Sequence, residues 1–184
     1  MRRNKMIKIL TIICSLLPLT VLSAELTIDA PANKAKILTV NNPFPVGGLF
    51  GNIVIKKHEY NTKIPTRFVI GFFEKSPEEH AFQVVLERIK EKEEYWLIYE
   101  YIKDKNIQLR IEVQSGIKLE QEIPFDFFYH KGGRLQITTF ETSHYPVTSL
   151  KVKTPFFKAS SGSATIKYQY KEAYWKQNIP AEAK

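Results

Sequence analysis

The sequence predicts an all-β protein: an antiparallel two-sheet β-sandwich that follows a cleaved N-terminal signal peptide. Strict alternation of apolar and polar residues from Ile107 to Gln114 is typical of a half-buried antiparallel strand. Similar segments recur every ten to fifteen residues, separated by short turns rich in glycine, serine and lysine. The chain has 184 residues, which suits one domain, and its single cysteine rules out a disulfide scaffold.

The first 24 residues have the organisation of a secretory signal peptide. Four basic residues precede a 14-residue apolar run, Ile9–Leu22, and the small residues Ser23 and Ala24 follow it. As a helix the run would extend about 21 Å at about 1.5 Å per residue, short of the roughly 30 Å hydrocarbon core of a membrane. We therefore expect cleavage after Ala24 and no stable membrane insertion afterwards.

Removal of this leader changes the cysteine content and the net charge of the chain. Cys14 leaves with it, and the net charge falls from +8 to +4 because four basic residues and no acidic ones are lost. The remaining charges of both signs are interspersed, whereas nucleic-acid binding requires a clustered basic surface. We therefore predict a bacterial periplasmic or secreted protein that does not bind nucleic acid.

The strands follow in order along the mature chain, and β-branched and aromatic residues dominate them. They are predicted at residues 50–56, 67–73, 81–88, 95–102, 107–114, 117–123, 134–140, 147–153 and 164–170. The turns between them include Ser115-Gly116, Lys131-Gly132-Gly133 and Ser160–Ser163. The aromatic run Pro124–His130 is expected to supply core residues.

One segment fits two structures. Residues 76–94 begin with a helix-start signal, Ser76-Pro77, and then place Phe82 and three aliphatic residues at helical spacing. The same stretch also alternates as a strand would. A strand with a charged hairpin at 91–94 is favoured because both neighbouring segments are strands.

The domain boundaries follow from these patterns. Residues 25–176 are predicted to form one sandwich domain, with 25–33 as a loose lead-in and 177–184 as a flexible tail. The jelly-roll topology, with a curved sheet like that of concanavalin, is an analogy at the level of fold class and predicts no activity.

A search for catalytic and metal-binding motifs is negative. The histidines, His58, His80, His130 and His144, lack the spacing of a metal site and are expected at the surface or in turns. No cofactor-binding motif is found, so we predict no catalytic residue, no metal and no cofactor. Acidic pairs such as Glu120 and Glu122 lie at i and i+2, but solvated strand faces commonly carry such charges.

The best candidate for a binding surface is the polar face of the middle strands. If the alternating apolar residues of 107–114 point into the core, their polar neighbours point to solvent, next to a row of tyrosines in 95–101. Tyrosine rings stack on sugar rings, and amides and charged groups bond to sugar hydroxyls. The candidate ligand-binding residues are Tyr99, Tyr101, Gln108, Arg110, Glu112 and Gln136.

Three functions follow as hypotheses. The first is an exported, non-enzymatic protein that engages a glycan or another cell-envelope component through this face. The second is a glycan-cleaving β-sandwich enzyme that uses Glu112 or Glu122. The third is a structural or assembly protein of the envelope that pairs with an envelope partner through sheet edges.

Overall fold

Ten antiparallel strands make up the computed structural model, which describes residues 23–40, 47–60, 62–90, 92–129, 135–140, 142–144, 150 and 154–172. Along the chain the strands are β1 (Ser23–Thr39), β2 (Gly47–His58), β3 (Arg67–Phe73), β4 (His80–Arg88), β5 (Glu94–Lys103), β6 (Asn106–Lys118), β7 (Glu122–Tyr129), β8 (Leu135–Thr139), β9 (Thr142–His144) and β10 (Thr154–Glu172). The predicted antiparallel all-β class is confirmed. Within these residues, none belongs to a helix long and apolar enough to cross a membrane.

Hydrogen bonds join all ten strands into one curved sheet, with the order β6-β5-β4-β3-β10-β2-β7-β8-β9 and with β1 alongside β10. β10 is the shared strand, because residues 154–160 pair with β3 and residues 162–172 pair with β2. The prediction of two separate sheets therefore differs from the observed hydrogen bonding. We call β3–β6 with the start of β10 the first half, and β2 and β7–β9 with the end of β10 the second half.

The two halves face each other across one apolar core. Phe72 of β3 lies 5.5 Å, between ring centroids, from both Phe127 and Tyr129 of β7. The Tyr99 hydroxyl of β5 lies 2.6 Å from Thr139 Oγ1 of β8. Inward side chains at alternate positions of the strands fill the space between the halves, as the period-2 patterns require.

Two predicted turns are absent because the strands continue through them. Ser115-Gly116 lies inside β6, where Gly116 has a φ of 77°, and the chain turns instead around Glu120, whose φ is 61°. The predicted strand 117–123 thus contains the actual turn. Ser160–Ser163 lies inside β10, where Ser161 has a φ of 51°. A residue with positive φ can kink a strand without reversing it, and the residue types alone do not distinguish the two outcomes.

The remaining expectations concern the segment 76–94, the lead-in 25–33 and the parts of the chain outside the described residues. Within the segment 76–94, residues 80–88 form strand β4 and none of the described residues is helical, and the lead-in 25–33 is part of the long strand β1. The lead-in residues belong to the sheet because they pair with β10, where Lys167 lies opposite Glu25 and Ala164 lies opposite Ile28. The predicted strand 147–153, apart from Leu150, and the tail 177–184 lie outside the described residues. So do residues 1–22 of the predicted signal peptide.

Candidate functional site

The first half of the sheet carries a second layer of side chains on the face that points away from the core. We call this the outer face. Residues at alternate positions of β3, β4 and β5 point there, because their neighbours Phe68, Phe82 and Tyr99 fill the core. Part of the outer face is a small apolar cluster around Val85 and Phe156, both fully buried. Strands buried on both faces have near-continuous apolar sequences, and β3 reads RFVIGFF.

Next to this cluster lies a depression of about 280 Å³, which we call the outer depression. Charged and polar side chains in its lining are Arg67, Glu78, Gln83, Glu100, Lys158 and Ser160. Apolar side chains in its lining are Ala35, Ile64, Pro65, Val69, Pro77, Ile102 and Ile107. It therefore combines polar groups on β3, β4, β5 and β10 with aliphatic walls.

A hydrogen-bonded network centred on Glu100 forms the polar floor. The Glu100 side chain is only 1% exposed, and Arg67 Nη2 lies 2.9 Å from both of its carboxylate oxygens. Gln83 Nε2 donates to Glu100 Oε2 at 2.7 Å, and Arg110 Nη1 also donates to this carboxylate. Because charge-assisted bonds to a buried carboxylate are strong, they hold the two guanidinium groups in place.

A second carboxylate, Glu87, connects the same two arginines from the side. Arg110 Nη2 donates to Glu87 Oε1 at 3.0 Å, and Arg67 Nε lies 3.0 Å from Glu87 Oε2 without the alignment of a hydrogen bond. Burial lowers the pKa of Arg110, but Glu87 and Glu100 outweigh that effect and raise it overall, so the group is always charged. The network contains two cations and two anions and is electrically balanced.

Strand register explains why these residues meet. Gln83 is directly opposite Glu100, and Glu100 is directly opposite Arg110. On β3, the residue opposite Gln83 is Gly71, which adds no side chain to this row. A Cβ at position 71 would lie 2.5 Å from the Phe82 carbonyl oxygen, which is too close for a real contact. Side chains opposite each other in an antiparallel sheet share a face and are close enough to bond. Of this row, only Arg110 could be predicted as a site residue, because Gln83 and Glu100 lie in otherwise apolar strands.

The six predicted binding residues do not form one surface. Tyr99 is buried in the core, and Tyr101 is half-buried on the core side, with its hydroxyl 3.0 Å from His80 Nε2. Arg110 and Glu112 lie on the opposite face, since their β5 partners are Glu100 and Ile98. The structure therefore does not bring the tyrosines and Arg110 onto one surface, because successive residues of a strand point to opposite faces.

The remaining candidates are also dispersed. Gln108 is exposed, and its Nε2 lies 3.5 Å from the Lys103 carbonyl oxygen. Gln136 points outward from β8, in the second half of the sheet. Of the apolar residues expected in the core, Leu109 and Ile111 lie on the core side, opposite Tyr101 and Tyr99, but stay exposed because β6 is the last strand of the sheet. A register shift places Ile107 opposite Ile102 instead, and both residues line the outer depression.

The two carboxylates considered for a glycan-cleaving enzyme, Glu112 and Glu122, lie in different halves of the sheet. Glu112 is exposed on β6, and Glu122 is exposed on β7 in the other half. Glu120 lies in the turn before β7, where it forms an ion pair with Lys56 at 2.6 Å. Among the described residues, no three His, Cys, Asp or Glu side chains are grouped so that they could hold a metal ion.

His58 differs from its prediction as a surface residue, because it is only 4% exposed. Its Nδ1 lies 3.0 Å from the Tyr95 hydroxyl, and its Nε2 is buried with no hydrogen-bond partner. Burial, and secondarily the nearby Arg88 guanidinium, lower the pKa of His58, although Glu93 and Glu59 act in the opposite direction. The imidazole is therefore held neutral.

This burial predicts a loss of stability in mild acid. Below the unfolded-state pKa of about 6.5, the unfolded chain takes up a proton on His58 before the folded chain does, so the free energy of unfolding falls as pH decreases. We expect urea denaturation to show a larger loss between pH 7.5 and 5.5 for the wild type than for His58→Gln. Equal losses in the two proteins would contradict this assignment.

Comparison with known proteins gives matches at the level of structure only. No protein-family model matches the sequence, and no curated protein does. Among solved structures, an alginate lyase from Pseudomonas aeruginosa superposes with a TM-score of 0.53 at 11% identity, covering 78% of each chain. The Emp46p carbohydrate recognition domain in its metal-free form has a TM-score of 0.52 at 8% identity, covering 80% of this chain and 87% of its own. A glycosidic hydrolase has a TM-score of 0.50 at 11% identity, covering 89% and 84% respectively. These likenesses show the fold.

Proposed function

We propose that this chain is an exported, non-enzymatic protein that binds a glycan in the outer depression. The observation that carries the proposal is the Glu100 network, which fixes polar groups at the floor of a depression with aliphatic walls. Sugars present hydroxyl groups at their edges and C–H groups on their ring faces, so they need both kinds of contact. Export is proposed from the N-terminal leader pattern.

The balance of charge favours a neutral glycan. The charged groups that line the depression are two cations, Arg67 and Lys158, and two anions, Glu78 and Glu100. Arg67 is bonded to Glu100, and Lys158 Nζ lies 3.3 Å from Glu78 Oε1. A ligand with many carboxylates would have to break these pairs, whereas hydroxyl groups can bond to their remaining donors and acceptors.

The size of the depression suits a short part of a glycan. Its volume of about 280 Å³ is near the lower end of the roughly 300–1,000 Å³ range of small-molecule sites. The structural neighbours support this proposal in general terms, because one is a carbohydrate recognition domain, one is an alginate lyase and one is a glycosidic hydrolase. We assign binding without cleavage to this chain, because both carboxylates that line the depression are held in ion pairs, Glu100 with Arg67 and Arg110 and Glu78 with Lys158.

Lys158→Ala tests the site. Lys158 lines the depression, whereas Lys167 on the same strand is exposed and lies 3.8 Å from Glu25, outside the depression. A charged hydrogen bond contributes about 1.5–3 kcal/mol, so we expect glycan affinity to fall by roughly 10- to 100-fold in Lys158→Ala. The matched control Lys167→Ala should bind as the wild type does.

The measurement is a glycan array followed by calorimetric titration of any saccharide retained by the wild type. Thermal melts of both variants establish that they are folded. The proposal fails if the wild type retains no saccharide, or if Lys158→Ala and Lys167→Ala bind with equal affinity. Release of reducing ends from a bound polysaccharide would instead support the enzymatic hypothesis.

A further inference from the structure

The outer edge of β6 is an apolar strand edge with no partner strand among the described residues. Ile107, Leu109 and Ile111 are 54%, 39% and 41% exposed, respectively, and these are three of the most exposed large apolar side chains in the described structure. An exposed edge of this length is a template for pairing with another strand. The sequence of β6 indicates which strand would fit.

The residues of β6 are complementary to themselves in one antiparallel register. If two β6 strands pair about a two-fold axis through Ile111, Arg110 of each copy lies opposite Glu112 of the other. Ile111 then faces Ile111, and Leu109 faces an aliphatic residue, Val113. Registers centred on Arg110 or on Glu112 would instead place like charges opposite each other, which is destabilising.

The pairing of β5 with β6 limits where a partner can add. Register shifts occur between Leu97 and Ile98 and between Tyr101 and Ile102, so the regular part of β6 covers residues 109–112. Bulges twist an edge and hinder pairing on either side of such a run. The regular run of residues 109–112 contains Ile111, which makes the apolar contact of the self-complementary register. It also contains Arg110 and Glu112, which form the ion pairs of that register.

We propose that β6 pairs antiparallel with β6 of a second copy of this chain, with the two-fold axis at Ile111. Arg110 already donates to Glu100 and Glu87 within its own chain, and its other N–H groups can bond to Glu112 of the second copy. On the core side, the second copy thereby places its Ile111 and Val113 beside Ile111 and Leu109, and it continues the sheet across the interface. Regular pairing over few residues makes this a weak dimer.

Cysteine cross-linking tests the register directly in the full chain carrying Cys14→Ser, which removes the only native cysteine. Opposite Cα atoms in an antiparallel pair are about 4.5–5.5 Å apart, within the roughly 4.4–6.8 Å that a disulfide spans. Ile111→Cys should therefore give a covalent dimer on mild oxidation. In the matched variant Leu109→Cys, the two thiols would lie about 13 Å apart along the strands, so it should form no covalent dimer.

Sedimentation velocity provides an independent test without cysteines. Glu112→Lys places a cation opposite Arg110 at both ends of the interface, so we expect the dimer to be lost. The control Glu122→Lys makes the same charge change at an exposed position on β7 and should leave dimerisation unchanged. Cross-linking at residue 111 but not 109, with loss of the dimer only in Glu112→Lys, supports the proposal. A wild type that is monomeric at every concentration, or equal cross-linking of the two cysteine variants, overturns it.

Such a dimer would be bivalent, a consequence that rests on the proposed function. Residues opposite each other share a face, so the outer depressions of both copies would open on the same side. The covalent Ile111→Cys dimer should then bind an immobilised glycan more tightly than Leu109→Cys, which lacks the covalent link, with equal affinity for a soluble monosaccharide. If cross-linking succeeds and glycan binding is absent, the proposed function fails and the dimer stands.

Discussion

Glu100→Ala should destabilise the fold by about 3 kcal/mol, because it removes the shared acceptor of two guanidinium groups. The Glu100 carboxylate is 1% exposed, and it accepts from Arg67, Arg110 and Gln83. Without it, Arg67 and Arg110 keep only Glu87 as an anionic partner within the network. Both guanidinium groups retain some exposure to water, which places the expected cost at the lower end of the range for a broken buried ion pair.

Two further variants separate the charge from the general effect of substitution. Glu100→Gln keeps the shape and one acceptor oxygen but removes the charge, so its loss should be smaller than that of Glu100→Ala. Glu120→Ala removes an exposed carboxylate whose partner is Lys56, and such surface pairs contribute about 0–1 kcal/mol. The free energy of unfolding is measured by urea denaturation at pH 7. If Glu100→Ala costs no more than Glu120→Ala, the network does not stabilise the outer face.

Phe72→Ala should cost about 4 kcal/mol, since it leaves a cavity where the two halves of the sheet meet. Phe72 is fully buried, and its ring makes edge-to-face contacts with Phe127 and Tyr129. Each aromatic pair of this kind contributes about 0.5–1.5 kcal/mol beyond the buried area. Substitution therefore removes both the apolar area of the ring and two contacts that join β3 to β7.

Phe72→Leu is the matched variant, because it fills much of the same volume and should cost clearly less. Ile64→Ala, at an exposed residue, should change the free energy of unfolding by about 0.5 kcal/mol or less. Chemical denaturation of the three variants gives the comparison. A loss below about 1 kcal/mol for Phe72→Ala would mean that the halves do not depend on this contact.

Local sequence patterns predicted most of the strands. The segment 67–73 coincides with β3, and the segments 50–56, 81–88 and 95–102 lie inside β2, β4 and β5. These predictions succeed because alternation and β-branched or aromatic residues act locally on each strand. The turns at Ser115-Gly116 and Ser160–Ser163 were wrong, because whether a polar, glycine-containing segment reverses or continues depends on the strand that pairs with it.

The candidate site was predicted only in part. Arg110 was identified from its polar position in an alternating strand, and it does join the Glu100 network. Glu100 and Gln83 were missed because single polar residues within apolar strands give no local sign that they meet. Alternation also suggested that Ile107, Leu109 and Ile111 were buried, although position at the end of the sheet leaves that row exposed.

Local patterns were enough to predict the antiparallel β class and the positions of most strands, because the two-residue period is a property of each strand alone. The tertiary structure decided that β10 would connect both halves into one sheet, that tyrosines and Arg110 would lie on opposite faces, and that Glu100 would meet Arg67. Strand order and register bring together residues far apart in the chain. These long-range pairings depend on how whole strands fit each other, which no short segment of sequence encodes.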